Sequence, residues 1–326
     1  MQENQKIPVV AVTPAMVKEL RERTQAGMAD CKNALVEAGG EMEKAVEVIL
    51  KKGIVKAAAR AGRVASEGEV RTFVAADGKY GVIVEVNCQT DFVSRGDAFK
   101  DFVAKVTEVA SKAEKGADLG ALNYPGTDKT IDVVRQELVA KTGENMVVRR
   151  WERLDAKGPY SLVHAYVHMG GKLAVLLSAE APTAAALKAG PFVQFIDNCA
   201  MQIAAMNPIV VHKDDISPAL VAKQKEIFQA QLKEEKKPEQ AWPKIIEGKV
   251  AKWFTEVTLL GQDNVWDQGK GTIDKLRGEL AKELGGEAKL HGFIRLNLGE
   301  GIEKKTDDLA VEVAKMTAPK PEASST

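Results

Sequence analysis

The segment VNCQTDFVSRGDAF, residues 86–99, begins as a strand and ends as a helix. Just before and within it, Val82, Val84 and Val86 alternate with Ile83, Glu85 and Asn87, the period of a pleated strand. From Phe99 onward the spacing is helical. Phe99, Phe102, Val103, Val106 and Ala110 share one face, with Asp97 as the expected N-cap. At the corner between the two, a charge, Asp91, stands beside a large apolar ring, Phe92. Two readings follow from spacing alone. Either Phe92 folds back as a lid on the sheet while Asp91 caps the next turn, or the pair is offered to a partner.

On the N-terminal side, EVRTFVAADGKYGVIVEVN (69–87) reads as a β-hairpin turning at Asp77-Gly78. Before it, VKAAARAGRVASEGE (55–69) reads as a helical or flexible connector. The chain from 13 to 53 reads as three short helices. Thr13 and Pro14 suit an N-cap and first helical position, and Val17, Leu20 and Thr24 share a face that ends near Gly27. Cys31, Leu35 and Ala38 share the next face, which stops at Gly39-Gly40. Met42, Ala45, Val46 and Ile49 form the third, expected to stop at Gly53. So small a bundle has a marginal core of its own and is suited to presenting a surface.

Downstream, a helix is expected near 130–142, then strands at NMVVRRWERL (145–154), YSLVHAYVHM (160–169) and the apolar KLAVLLSAE (172–180). AGPFVQFIDNCAMQIAAMNP (189–208) reads as a helix ended by Pro208. Ser217-Pro218 opens another, through Leu220, Val221, Ile227, Phe228 and Leu232, which Pro238 breaks. A return helix carries Trp242, Ile245, Ile246, Val250, Trp253, Phe254 and Val257. Heptad-like spacing and a short charged connection make these two an antiparallel hairpin. GFIRLNLGEGIEK (292–304) offers a last strand and turn. Thr306 or Asp307 is the expected cap of a final helix through Leu309, Val311, Val313 and Met316, with APKPEASST beyond it expected to be disordered. Hairpins and helices in blocks indicate an α+β fold. No repeat of fixed period is evident.

Composition limits the function. The 326 residues suggest two or three domains. Lys plus Arg and Asp plus Glu are both 46, and a zero balance argues against a general nucleic-acid or anionic-membrane binder. Basic residues at Lys51, Lys52, Lys56, Arg60 and Arg63 read as a solvated linker. Cys31, Cys88 and Cys199 are too scattered for a disulfide framework or zinc site. MQENQKIPVV lacks the basic start and long apolar core of a signal peptide, and no apolar run approaches the roughly 20 residues of a membrane span. The expectation is a soluble protein of a reducing compartment.

Motifs for catalysis do not assemble. His164 and His168 fall on one face of a strand without a third ligand nearby in sequence, so hydrogen-bonded or interfacial histidines compete with a metal pair. GGK (170–172) and GKGT (269–272) have the composition of phosphate loops but not their spacing, and GEGIEK (299–304) is a turn. Binding is the better expectation, with an adaptor built on the three-helix unit and a metal-dependent enzyme built on the histidines as alternatives.

Four blocks sharpen this. VKELRERTQAGMADCKNAL (17–35), VEVNCQTDFV (84–93), AKTGENMVVRR (140–150) and GFIRLNLGEGIEK (292–304) closely resemble, in order, the signature blocks of the bacterial elongation factor Ts family. The resemblance implies a three-helix, ubiquitin-associated-like (UBA-like) domain at 1–55, a linker and first core subdomain at 56–150, and a second core subdomain at 151–208 and 259–303. It implies a coiled-coil hairpin inserted at 209–258, and a C-terminal helix and tail at 304–326. It also implies a cytoplasmic guanine nucleotide exchange factor for elongation factor Tu, the GTPase that carries aminoacyl-tRNA. Such a factor is no enzyme of covalent chemistry, needs no cofactor or metal, and contacts neither nucleic acid nor membrane directly. A homodimer or 2:2 complex through the core or hairpin stays open. In the family the Asp and Phe of the corner wedge into the GTPase near its Mg²⁺ and phosphates, which carries over to Asp91 and Phe92 between Thr90 and Val93. Further contacts carry over to Arg21, Met28 and Ala29 (many members have a second Met there), to Gly143, preceded here by Thr142 instead of the common Ile, and to His168, Leu309 and Met316.

Overall fold

The computed structural model of the chain describes residues 12–24, 26–60, 62–267 and 270–303, and only the backbone of 53–59. Helices α1 (Pro14–Thr24), α2 (Met28–Glu37) and α3 (Met42–Arg60) bury Val17, Leu20, Cys31, Ala34, Leu35, Ala38 and Ala45 against one another. The Thr13 hydroxyl accepts the Met16 N–H at 3.2 Å, as an N-cap should. One expectation fails: α3 runs through Gly53 to Arg60. A single interior glycine costs only about 1 kcal/mol relative to alanine, and the VKAAAR that follows is dominated by strong helix formers. This longer helix packs on α6 (Ile131–Thr142), where Arg60 donates to the Val139 carbonyl at 3.4 Å.

The next part of the chain folds as β1 (Glu67–Val74), β2 (Tyr80–Cys88), the short α4 (Asp91–Arg95), α5 (Asp97–Lys112), α6 and β3 (Met146–Asp155). The sheet is antiparallel in the order β1-β2-β3. Asp97 is not the cap of α5. Gly96 holds that position, without a side-chain bond, and Asp97 is the first helical residue, where its charge still complements the helix N-terminus.

The chain continues with β4 (Ser161–His168), β5 (Leu173–Glu180), α7 (Gly190–Met206), the hairpin α8 (Pro218–Glu234) and α9 (Trp242–Val257), then α10 (Ile273–Leu284) and β6 (Lys289–Asn297). Its sheet is also antiparallel, in the order β4-β5-β6. Asn207, in the left-handed region at φ 48, ends α7 just before Pro208. Ser217 caps α8, accepting from the Leu220 N–H at 3.3 Å, and Leu232, Ile246 and Val250 are buried where α8 and α9 meet. The expected final helix and tail lie outside the described residues.

The strand periodicities build four layers. Val82, Val84, Val86 and Cys88 of β2 face Phe99, Phe102, Val103 and Val106 of α5. Ile83, on the other face, meets Val163, Leu176 and Leu296 of the second sheet. The far face of that sheet, Val175, Leu177 and Ala179, packs on Phe192, Ile196, Cys199 and Ile203 of α7 and on Leu280 of α10. Each fully buried Leu, Ile or Phe contributes about 1.5–3 kcal/mol, so these interlayer cores hold the molecule together.

The two sheets with their helices are one unit used twice. With the one-turn α4 and the inserted α8–α9 hairpin set aside, both run strand, strand, long helix, helix, strand. Phe99, Phe102, Val103 and Val106 correspond to Phe192, Phe195, Ile196 and Cys199, all buried. A β-bulge falls between Glu85 and Val86 in one sheet and between Ser178 and Ala179 in the other. TID at 130–132 recurs at 272–274, and both threonines cap a helix. Arg135 bonds Asp132 and the Met146 carbonyl at 2.8 Å each, and Arg277 bonds Asp274 and the Ala288 carbonyl at 3.0 and 3.2 Å. Gly143 and Gly285 end their helices in the left-handed region. No fixed period shows in the sequence because α8 and α9 interrupt the second copy. The same relation explains α10, which is absent from the elements expected above. It is the counterpart of α6.

Candidate functional site

The corner begins where β2 runs out. Thr90 is the N-cap of α4, its hydroxyl accepting the Val93 N–H at 3.4 Å. The Glu144 carboxylate grips the same residue twice, accepting from the Thr90 N–H at 3.0 Å and from its hydroxyl at 2.7 Å. Ser94, buried, donates to the Asp91 carbonyl at 2.9 Å, and Val93 turns inward against the α5 core. A single turn of helix with Val93 inward must point its neighbour outward. Phe92 is 86% exposed, the most exposed large apolar side chain among the described residues. The lid reading therefore fails, and so does Asp91 as a cap, because Thr90 has that role. Asp91 instead pairs with Arg95 at 2.8 Å, an exposed pair worth at most a few tenths of a kcal/mol.

The loop after α6 buttresses the corner. Gly143, at φ 80, ends α6 and turns the chain so that Glu144 meets Thr90, while the Asn145 N–H bonds the Gln89 side chain at 2.7 Å. Glu144 was not among the expected site residues. Its only sequence signal is its place in the TGEN block.

Register brings the rest to the same end of the sheets. Glu67 opposes Cys88, Cys88 opposes Met146, His168 opposes Leu173, and Leu173 opposes Asn297. The two sheets are tied there by Lys172 to Glu67 at 2.7 Å and by the Val70 N–H to the Gly171 carbonyl at 2.7 Å. Thr90 to Val93, Gly143 and His168 are thus gathered at one end, beside the strand end that leads to the undescribed 304–326. His168 is exposed, bonded through Nδ1 to the Tyr166 hydroxyl at 3.0 Å with the rings stacked. Arg21, Met28 and Ala29 are exposed on the separate three-helix unit, Met28 at 53%, so Met28 is not bundle core. Leu309 and Met316 lie outside the described residues.

Between the sheets at this end sits a buried carboxylate, Glu85. The bulge supplies an extra residue on β3, so Arg149 and Arg150 both reach it, at 2.9 and 2.6 Å. Asn87 and the Gly299 N–H complete its shell at 3.1 and 2.8 Å. Burial alone would raise its pKa. The Gly299 N–H, then Arg149, Arg150 and Asn87, favour the ionised form and together hold it below the ordinary value. Arg150 also reaches the Asn297 carbonyl at 3.2 Å, so this cluster locks the first half to the end of β6.

The other histidines are occupied structurally. His164 pairs with Asp197 at 2.9 Å and His291 with Glu180 at 3.1 Å. Among the described residues no three His, Cys, Asp or Glu side chains converge on a metal position, and no helix is long and apolar enough to cross a membrane. The end of the sheets thus offers a firmly held, exposed aromatic.

Comparison with known proteins agrees with that geometry. The family model described as Elongation factor TS matches residues 89–300. Elongation factor Ts of a Nitratiruptor species is 45% identical over 309 residues, covering 94% of this chain and 99% of the relative. That of a Clostridium perfringens Type A strain is 44% identical over 307 residues, with 94% and 99% covered. That of Halothermothrix orenii is 40% identical over 302 residues, with 92% and 96% covered. A chain matched along nearly its whole length, and carrying the TDFV corner on a buttressed turn, belongs to the elongation factor Ts family.

Proposed function

We propose that this chain is a guanine nucleotide exchange factor that binds elongation factor Tu in its GDP form and promotes release of the nucleotide, with Asp91 and Phe92 as the wedge. The observation that carries the proposal is a phenylalanine held 86% exposed on a corner pinned by Glu144. A large ring is kept in water at a cost unless something covers it. The partner's GDP is held through Mg²⁺, which demands near-ideal octahedral geometry around phosphate oxygens. A wedge that displaces the elements holding the ion weakens the grip on nucleotide. By linkage, nucleotide then weakens the grip on the factor to the same degree, so nucleotide concentrations set the direction of exchange.

Phe92 does not suffice alone. Burying one Phe yields about 1.5–3 kcal/mol, whereas reversing a 1:99 equilibrium takes about 5.5 kcal/mol. Thr90, Val93, Gly143 and His168 at the same end, Arg21, Met28 and Ala29 on the three-helix unit, and Leu309 and Met316 toward the C-terminus supply the remainder. Held on one chain, they act at high effective concentration. In this reading the units at 1–55, 56–150, 151–208 with 259–303, 209–258 and 304–326 are the family's domains. The protein works in the cytoplasm on a GTPase and catalyses no covalent step. The test is stopped-flow release of fluorescent GDP from elongation factor Tu. The wild-type chain accelerates release, and Asp91→Ala with Phe92→Ala slows it. A wild type that leaves the release rate unchanged refutes the proposal.

A further inference from the structure

The hairpin joining β4 to β5 carries a second exposed apolar side chain that none of the contacts above uses. Met169 is 74% exposed, second only to Phe92 among the large apolar side chains of the described residues. Its backbone stands at φ 48, in the left-handed region where glycine is the usual occupant. Gly170 and Gly171 follow at φ 64 and 92. Gly171 is dictated by packing, since a Cβ there would come within 2.8 Å of Glu69. The fold offers no such reason for a side chain at 169. A long thioether in water on a backbone that favours glycine adds nothing to the core, and an outlier of this kind points toward function.

The tip itself is firm. Gly171 and Lys172 donate back to the His168 carbonyl at 3.2 Å each, Gly171 accepts from Val70 at 2.7 Å, and Lys172 pairs with Glu67. Glu67 is the residue opposite Cys88, two positions before Thr90. Phe92 and Met169, the two most exposed large apolar side chains among the described residues, therefore stand on segments flanking the start of β1, at the same end of the sheets. The neighbouring charges, Lys172 and Glu67, neutralise each other, so an apolar contact there is unopposed by net charge. Methionine is unbranched and polarisable and adapts to an irregular surface.

We propose that Met169 is a second apolar anchor for the GTPase engaged by Phe92, seated in an apolar depression next to the place where the ring enters. The inference rests on the exchange reading. The GTPase is the occupant because the tip is continuous with the corner, on the same end of the sheets. The anchor acts on affinity and not on maximal rate, because it touches the partner equally before and after nucleotide leaves.

Three variants separate side chain from backbone. Met169→Gly and Met169→Asn both accept the left-handed conformation and remove the apolar group, and Met169→Leu retains it. The readouts are the factor concentration giving half-maximal GDP release, the maximal release rate, the melting temperature and the sedimentation of the chain alone. Gly and Asn are expected to raise the half-maximal concentration about tenfold (about 1.4 kcal/mol). Maximal rate and melting temperature stay unchanged, and Leu stays close to wild type. Unchanged half-maximal concentrations for both Gly and Asn overturn the inference. So does a shift in self-association of the chain alone with exchange untouched, which would make a second copy the occupant. A wild-type chain that fails to release GDP at all overturns the exchange reading and this inference together, and it shows before any variant is compared.

Discussion

The corner Thr90-Asp91-Phe92-Val93 and its counterpart in the second half, Thr183-Ala184-Ala185-Ala186, are one turn built twice. Both threonines accept an N–H three residues on, Val93 at 3.4 Å and Ala186 at 3.1 Å, and both turns lead to a buried phenylalanine, Phe99 and Phe192. At the two outward positions the first half has Asp and Phe, the second Ala and Ala, and all four residues are exposed. The turn thus forms without the ring, so the turn's own geometry does not require it. The supports differ as well. Glu144 grips Thr90 in the first half. Its counterpart, Gly286, leaves no room for a side chain, since a Cβ would lie 2.7 Å from Pro182. The carboxylate of Glu85 likewise corresponds to Ser178, whose buried hydroxyl has no partner.

Exchanging residues between the halves puts this contrast at risk. Glu85→Ser has the largest expected effect. It strips Arg149 and Arg150 of their shared carboxylate and should cost about 3 kcal/mol, the low end for breaking a buried pair. The low end applies because both arginines keep a quarter to a third of their side chains in water. Denaturant unfolding checks it. Its pH dependence has a definite sign. The Glu85 carboxyl is held below its ordinary value of 4.5, so its contribution is complete above that pH and disappears as pH falls through the lowered folded value. The stability gap between wild type and Glu85→Ser should narrow on acidification, and a gap that widens would contradict the salt-bridged state.

Asp91→Ala with Phe92→Ala turns the first corner into a copy of the second. Removing a buried Phe contact worth about 1.5–3 kcal/mol should slow GDP release about 10- to 100-fold. Stability should move by less than about 0.5 kcal/mol, because both side chains are exposed. A large loss of stability would mean that the ring serves the fold after all. Glu144→Ala leaves the ring in place but loosens Thr90. Hydrogen bonds of about 1 kcal/mol net predict roughly a fivefold loss of exchange, read in the same assay. The smallest effect belongs to Ala185→Phe. It should fold within about 0.5 kcal/mol of wild type and gain no exchange activity. A gain would show that any exposed ring suffices, wherever it is placed.

Features that depend on near neighbours along the chain were legible in the amino-acid order. Alternation at 82–88, helical spacing from Phe99, Thr at helix starts and Gly at their ends act over two to four residues, and they placed most elements and all six strands of the described residues. The signature blocks at 17–35, 84–93, 140–150 and 292–304 pointed to the family. They named the corner, but periodicity left the direction of the Phe92 ring open. Gly53 misled because a lone glycine is a weak breaker beside alanines. The helix at 273–284 escaped because its evidence was a likeness to 131–142, far away in the chain and displaced by the inserted hairpin.

Which ends of which strands meet was settled only by the packed fold. Antiparallel register brought residues 88, 146, 168 and 297 to one end, set Glu144 under Thr90, gave Glu85 two arginines across a bulge, and put Met169 on the same rim as Phe92. These are contacts between residues tens to hundreds of positions apart. Their energies arise only when layers pack, so no local pattern announces them.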